Sequence, residues 1–72
     1  MPTVAVIGER AVVRWWSLAG AVVTGADDAD QVRAAWRALD SDVAVVVLTP
    51  AAAAALGDEP GRGGPLTVVS PP

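Results

Sequence analysis

Val43-Ala44-Val45-Val46-Val47-Leu48-Thr49-Pro50 is the stretch whose reading decides the fold. Six apolar residues run without a polar interruption, and four of them are β-branched valines. The run is far too short to span a membrane. It lacks the apolar–polar alternation of a strand with one wet face, so it reads as a strand buried on both faces inside a parallel sheet. Thr49-Pro50 then supplies an N-cap followed by a proline at the first helical position. A buried strand that runs straight into a helix is the repeating unit of an α/β domain.

The same unit recurs on either side. Upstream, Thr3 to Ile7 is a short Val/Ile-rich run closed by Gly8, and Ala21 to Thr24 is a shorter, more mixed one. Downstream, Leu66 to Ser70 reads as a fourth strand. Arg10 to Ala19 lies between the first two strands; at 100° per residue Arg10, Arg14 and Ser17 fall on one narrow polar stripe, and Gly20 suits the C′ position. Asp28 to Leu39 is the clearest helix. Asp27 is its expected N-cap, and Asp28 and Asp30 in the first turn favour the dipole. Val32, Ala35, Trp36 and Leu39 form its apolar face, with Arg33 and Arg37 opposite. Ala51 to Leu56 is a third, short helix stopped by Gly57, and Gly57 to Pro65 is a loop.

The order βαβαβαβ predicts one α/β domain over residues 1–72, with a four-stranded parallel sheet and three flanking helices in a receiver-like or Rossmann-like three-layer topology. Placing the most apolar strands at the centre gives the spatial order 2-1-3-4. Helix one then lies alone on one face, and helices two and three share the other. A chain of 72 residues buries only about 60% of the surface that its unfolded form exposes. With a core built largely from 15 Ala and 13 Val, little net stability is expected of the isolated domain.

Composition removes most chemistries. There is no Cys and no His, so disulfides, thiolates, most zinc sites and every Ser-His or Cys-His triad are excluded. The five basic residues are all Arg and are scattered, and the net charge is −3, which leaves no basic stripe for nucleic acid. The N-terminus lacks a basic segment followed by a long apolar one, so a cytoplasmic protein that is not inserted in a membrane is expected. Val6-Ile7-Gly8-Glu9-Arg10 sits where a phosphate loop would, but one glycine makes neither a dinucleotide fingerprint nor a Walker loop. A response-regulator receiver needs paired acids after strand one and an aspartate after strand three; here strand three ends Leu48-Thr49-Pro50. Asp27, Asp28 and Asp30 are explained by capping without invoking a metal, and Arg62 among glycines reads as a solvated loop residue. No catalytic, cofactor-binding or metal-binding residue is therefore expected.

The tryptophans are the remaining feature. Trp36 reads as a core residue. Trp15 and Trp16 are neighbours on a helix, so they point about 100° apart and one sheet face cannot easily bury both. Two readings stand open: both rings tucked against sheet edges, or a protein interface, where tryptophan is favoured. Val12, Trp15, Trp16 and Ala19 form the candidate interface, with at least one of the two rings expected to be partly exposed.

At this point the sequence resembles the F-subunit family of the V-type and archaeal-type (V/A-type) rotary ATPases. Val4-Ala5-Val6-Ile7-Gly8-Glu9 is similar to that family's opening strand I-A-V-I-G-D/E. Trp15-Trp16-Ser17-Leu18-Ala19-Gly20 occupies the place of its G-F-x-L-A-G, with Trp15 where the family has glycine. Asp27 to Leu39 and Val43 to Leu56 fall in register with the family's acid-started helix and its third strand and helix. Gly64-Pro65-Leu66-Thr67-Val68-Val69-Ser70-Pro71 is similar to its G-x-L-P-V-I-x-x-I-P. The resemblance implies a non-catalytic member of the central rotor stalk of a proton- or sodium-translocating ATPase. It implies binding to the coiled coil of the stalk's D-subunit and a place peripheral to the membrane complex. Family members continue past strand four with a C-terminal helix, which has no counterpart here. Where the coiled-coil partner is missing, a homodimer is expected to cover the same face. The alternative is a receiver-like interaction module without phosphoacceptor chemistry; a small-ligand enzyme using Glu9 and an arginine ranks below both, since no matched acid–base pair is apparent.

Overall fold

The computed structural model describes residues 3–59 and 64–70, without the side chains of residues 17–19. Strand β1 (Thr3–Gly8) leads into helix α1 (Arg10–Val13), which tightens into a 3-10 helix over Arg14–Ala19. Strand β2 (Val22–Gly25), helix α2 (Ala29–Arg37), strand β3 (Val43–Leu48), helix α3 (Pro50–Leu56) and strand β4 (Leu66–Val69) follow. The four strands form one sheet in the order β2-β1-β3-β4, and every pairing is parallel. The α/β topology expected from the sequence is the one observed.

Local chemistry explains the boundaries. Thr49 caps α3 by accepting from the Ala52 amide, with Pro50 at the first helical position. Gly57 ends α3 at φ +55°, and Gly20 ends the 3-10 segment at φ +82°, a region that L side chains rarely adopt. Two expectations need correction. The cap of α2 is Asp28, whose carboxylate accepts from the Gln31 amide, and Asp27 is used elsewhere. The single helix expected over Arg10–Ala19 is α-helical only to Val13. Paired β-branched valines and adjacent tryptophans hold the α-form weakly, and the six-residue 3-10 run that replaces it is longer than is common for that form.

The ladder fixes which residues share a face. Residues paired across parallel strands point the same way, and successive residues alternate. Ala5, Ile7, Val46 and Leu48 therefore face one side. There Ile7, Val46 and Leu48 meet Val32 of α2 and Ala52 and Leu56 of α3, and with Ala26 these form the main core cluster, against which Ala35, Trp36, Leu39 and Val43 pack. Val4, Val6, Val45, Val47, Leu66 and Val68 face the other side. Among the described residues, only α1 and the 3-10 segment lie over that side, against β1 and β2. The expectation that strand three is buried on both faces thus holds for one: Val46 and Leu48 are buried, whereas Val45 and Val47 are only half-buried. No helix of the described residues is long and apolar enough to cross a membrane.

Candidate protein-docking surface

The α1 side is held in place from below. Gly8 ends β1 with ordinary backbone torsions, yet a Cβ there would lie 2.2 Å from Thr49 Cγ2. Glycine is needed at the strand-to-helix turn because Thr49 packs directly on the backbone. Thr49 is itself buried, and its hydroxyl donates to Glu9 Oε1 at 2.5 Å while accepting from the Ala52 amide. One side chain thus ties the end of β1 to the start of α3. Glu9 spends its carboxylate on this bond and makes no side-chain cap for α1.

Asp27 supplies that cap from a distance. Its carboxylate accepts from the Arg10 amide at 3.0 Å and from the Arg10 guanidinium at 3.1 Å. The Arg10 side chain reaches it by crossing Gly25, where a Cβ would lie 2.3 Å from Arg10 Cγ. An orphan amide of the first turn is satisfied in this way, and α1 is pinned to the end of β2. The Asp27 amide in turn donates to Gln31 Oε1 at 2.9 Å, which links the same corner to α2.

Beyond that anchor the surface turns apolar. Trp15 is 65% exposed and Trp16 36%, and Val12 is also exposed. The Arg14 guanidinium lies 5.2 Å from the centre of the Trp15 ring, a cation–π distance. Of the four candidate interface residues, Val12, Trp15 and Trp16 sit on the same helical segment with exposed side chains. The side chain of Ala19 lies outside the described residues. Trp36 packs against the core but is half-buried rather than enclosed. Residues that sequence reasoning passed over are Val4, Leu66 and Val68, which extend exposed apolar surface across the sheet on the side that α1 overlies. Strand register would have found them, since all three share a face with Val6.

The carboxyl ends of the strands, where doubly wound sheets hold ligands, carry a cleft of about 240 Å³ lined by Glu9, Asp27, Asp28, Val32 and by Ala51, Ala52 and Ala55 of α3. All three acids there are engaged: Glu9 with Thr49, Asp27 with Arg10, Asp28 in the α2 cap. Among the described residues no three acidic side chains gather to hold a metal. Asp30 is paired with Arg33 on the surface of α2. Arg62 lies outside the described residues. A wider cleft of about 630 Å³ lies at the other end of the sheet, between Trp36, Leu39, Val43 and Leu66. Compared with protein-family models and with curated proteins, the chain matches none.

Proposed function

We propose that this chain is a non-catalytic, central-stalk component of a V/A-type rotary ATPase that docks on the stalk's coiled coil through Val12, Trp15 and Trp16. The observation that supports this reading most is the exposure of two adjacent tryptophans on a short, firmly anchored helical segment. A tryptophan side chain offers roughly 150–250 Å² of surface. Leaving most of one ring in water forfeits a few kcal/mol at roughly 25 cal/mol per Å². The chain recovers that energy when a partner covers the ring. A coiled coil offers a continuous apolar seam of the right chemistry. The sequence resemblance to the stalk family points to that partner.

Calorimetric titration of the coiled-coil stalk protein into the purified chain tests the reading. Saturable binding is expected, lost in a Trp15→Ala/Trp16→Ala variant whose melting curve is unchanged. The absence of binding by the wild-type chain would remove the stalk assignment and leave the receiver-like interaction module. Titration with Mg-ATP is expected to give no heat, because the acids at the strand ends are already engaged and no glycine-rich phosphate loop is encoded. A micromolar dissociation constant for Mg-ATP would contradict a non-catalytic role.

A further inference from the structure

A four-stranded sheet gives each face room for about two helices side by side. One face has both: α2 and α3 pack on each other there. The other has α1 with the 3-10 segment, which lie against β1 and β2. Over β3 and β4 that face is a shelf on which no element of the described residues packs. Strand register sets two aliphatic rows across it, Val4–Val45–Leu66 and Val6–Val47–Val68. Val6 is buried, but Leu66 is 66% exposed, Val68 46% and Val4 40%, and Val45 and Val47 are half-buried. Neither row contains a charged or polar side chain.

We propose that one α-helix of the coiled-coil partner lies on this shelf, along β3 and β4 and beside the segment that carries Val12, Trp15 and Trp16. The inference rests on the reading of the chain as a coiled-coil-binding stalk component, and it adds where the partner's helix runs. Width, length and chemistry select the occupant. Two strand spacings make about 10 Å, the diameter of one helix. The six residues of β3 extend about 20 Å, which a continuous helix of about 13 residues matches. A charged group set on the two rows would lose its water without gaining a partner, so the occupant presents an apolar stripe, as an amphipathic helix does. A second copy has no such helix to offer. Among the described residues its longest is α2, at nine residues, and α2 and α3 already spend their apolar faces on the core. Its α1 is α-helical for four residues only. A helix of a coiled coil is continuous over many turns and meets the length without rearrangement.

Two neighbours on β4 supply the test. Val68 and Val69 are both about half exposed, at 46% and 54%, but on opposite faces of the sheet. The coiled-coil stalk protein is titrated calorimetrically into the wild-type chain, Val68→Asp and Val69→Asp. Val68→Asp should weaken binding at least about tenfold, and Val69→Asp by less than about twofold. Should Val68→Asp fail to fold, methyl spectra of the wild type decide: the Leu66 and Val68 signals must shift on saturation with the stalk protein while those of Val22 and Val69 stay. A wild-type chain that does not bind removes the stalk reading and the shelf with it. Binding that is lost in Trp15→Ala/Trp16→Ala but kept in Val68→Asp overturns the shelf and leaves the stalk reading standing. Equal losses in the two aspartate variants, or Leu66 and Val68 methyl signals that do not move, overturn it as well. A chain that dimerises by itself through Val68 would give the shelf to a second copy and contradict the proposal.

Discussion

Two faces of one sheet, built from the same aliphatic residues, end in different states. On the α2/α3 side Ile7, Val46 and Leu48 are fully buried beneath two helices that also pack on each other. On the α1 side Val6 is buried near the helix, but Val4 and Val68 remain exposed and Val45 and Val47 half-exposed. The difference comes from topology. Three crossovers over a sheet ordered β2-β1-β3-β4 put two helices on one face and one on the other, and the single one overlies β1 and β2 alone. Both faces are apolar, so composition could not have distinguished them. The α2/α3 side is closed over the two central strands and left open only at the edges, where Val22 and Val69 are exposed, whereas the α1 side is open over the central strands as well.

The largest effect should come from the joint between the two sides. Gly8→Ala forces a methyl group into buried Thr49 and should cost about 3 kcal/mol, enough to unfold a domain this small. Adding Thr49→Ala removes the two closest colliding atoms, Cγ2 and Oγ1, while Thr49 Cβ at 2.9 Å stays, and should restore part of that loss, even though it deletes the α3 cap and the bond to Glu9. Urea titrations of the two single variants and the double variant check it. No recovery in the double variant would mean that the glycine serves something other than room for Thr49.

A pair of leucines reads the two sides directly. Leu48, 2% exposed on the α2/α3 side, should lose about 2–5 kcal/mol on truncation to alanine. Leu66, on the open side, should change stability by no more than about 0.5 kcal/mol under the same substitution. Equal costs by chemical denaturation would erase the asymmetry between the faces.

Next come the tryptophans. Trp36→Ala should destabilise by about 2–3 kcal/mol, below the cost of a fully enclosed ring because Trp36 is only half-buried. Trp15→Ala and Trp16→Ala should each cost under about 1 kcal/mol while weakening partner binding by at least about tenfold, since aromatic anchors of this type dominate interfaces. Thermal melts alongside binding isotherms separate the two quantities. Loss of the fold in both of the latter variants would make the two rings core residues.

The smallest effect tests what the α2/α3 side does not depend on. Arg37 on α2 reaches Glu59 at 3.1 Å, but its side chain is largely exposed. Arg37→Ala should alter stability by no more than about 0.5 kcal/mol, with little dependence on salt. A larger, salt-sensitive loss would mean that the α2–α3 packing leans on that ion pair.

Much of this was legible in the sequence because the signals were local. Val43–Leu48 followed by Thr49-Pro50 announced a strand and a capped helix, and both formed. Gly20 and Gly57 marked ends that need positive φ. The strand order followed from placing the two most apolar runs at the centre. What the sequence hid was non-local. Asp27 and Asp28 are adjacent acids with equal capping propensity, and only the fold shows that Asp27 turns toward Arg10 while Asp28 caps α2. The glycine at position 8 read as a tight turn; its reason is Thr49, forty-one residues away. The helix expected to run from Arg10 to Ala19 stops at Val13, because helical periodicity does not report how few α-turns a Val-Val-Arg-Trp-Trp segment sustains. The candidate interface on that segment was legible from the adjacency of the tryptophans, whereas Val4, Leu66 and Val68 needed the register of three strands.

The three tryptophans are built-in reporters of which face a partner covers. Hydroxyl-radical footprinting of the chain, free and saturated with the coiled-coil stalk protein, reads their exposure one by one in a single experiment. Trp15 should be the most strongly labelled in the free chain, with Trp16 next. In the complex both should lose most of their labelling while Trp36 keeps the same modest level. Protection of Trp36 with Trp15 and Trp16 still fully reactive would contradict docking through the α1 side, because the partner would then sit on the side of the sheet where α2 and α3 pack.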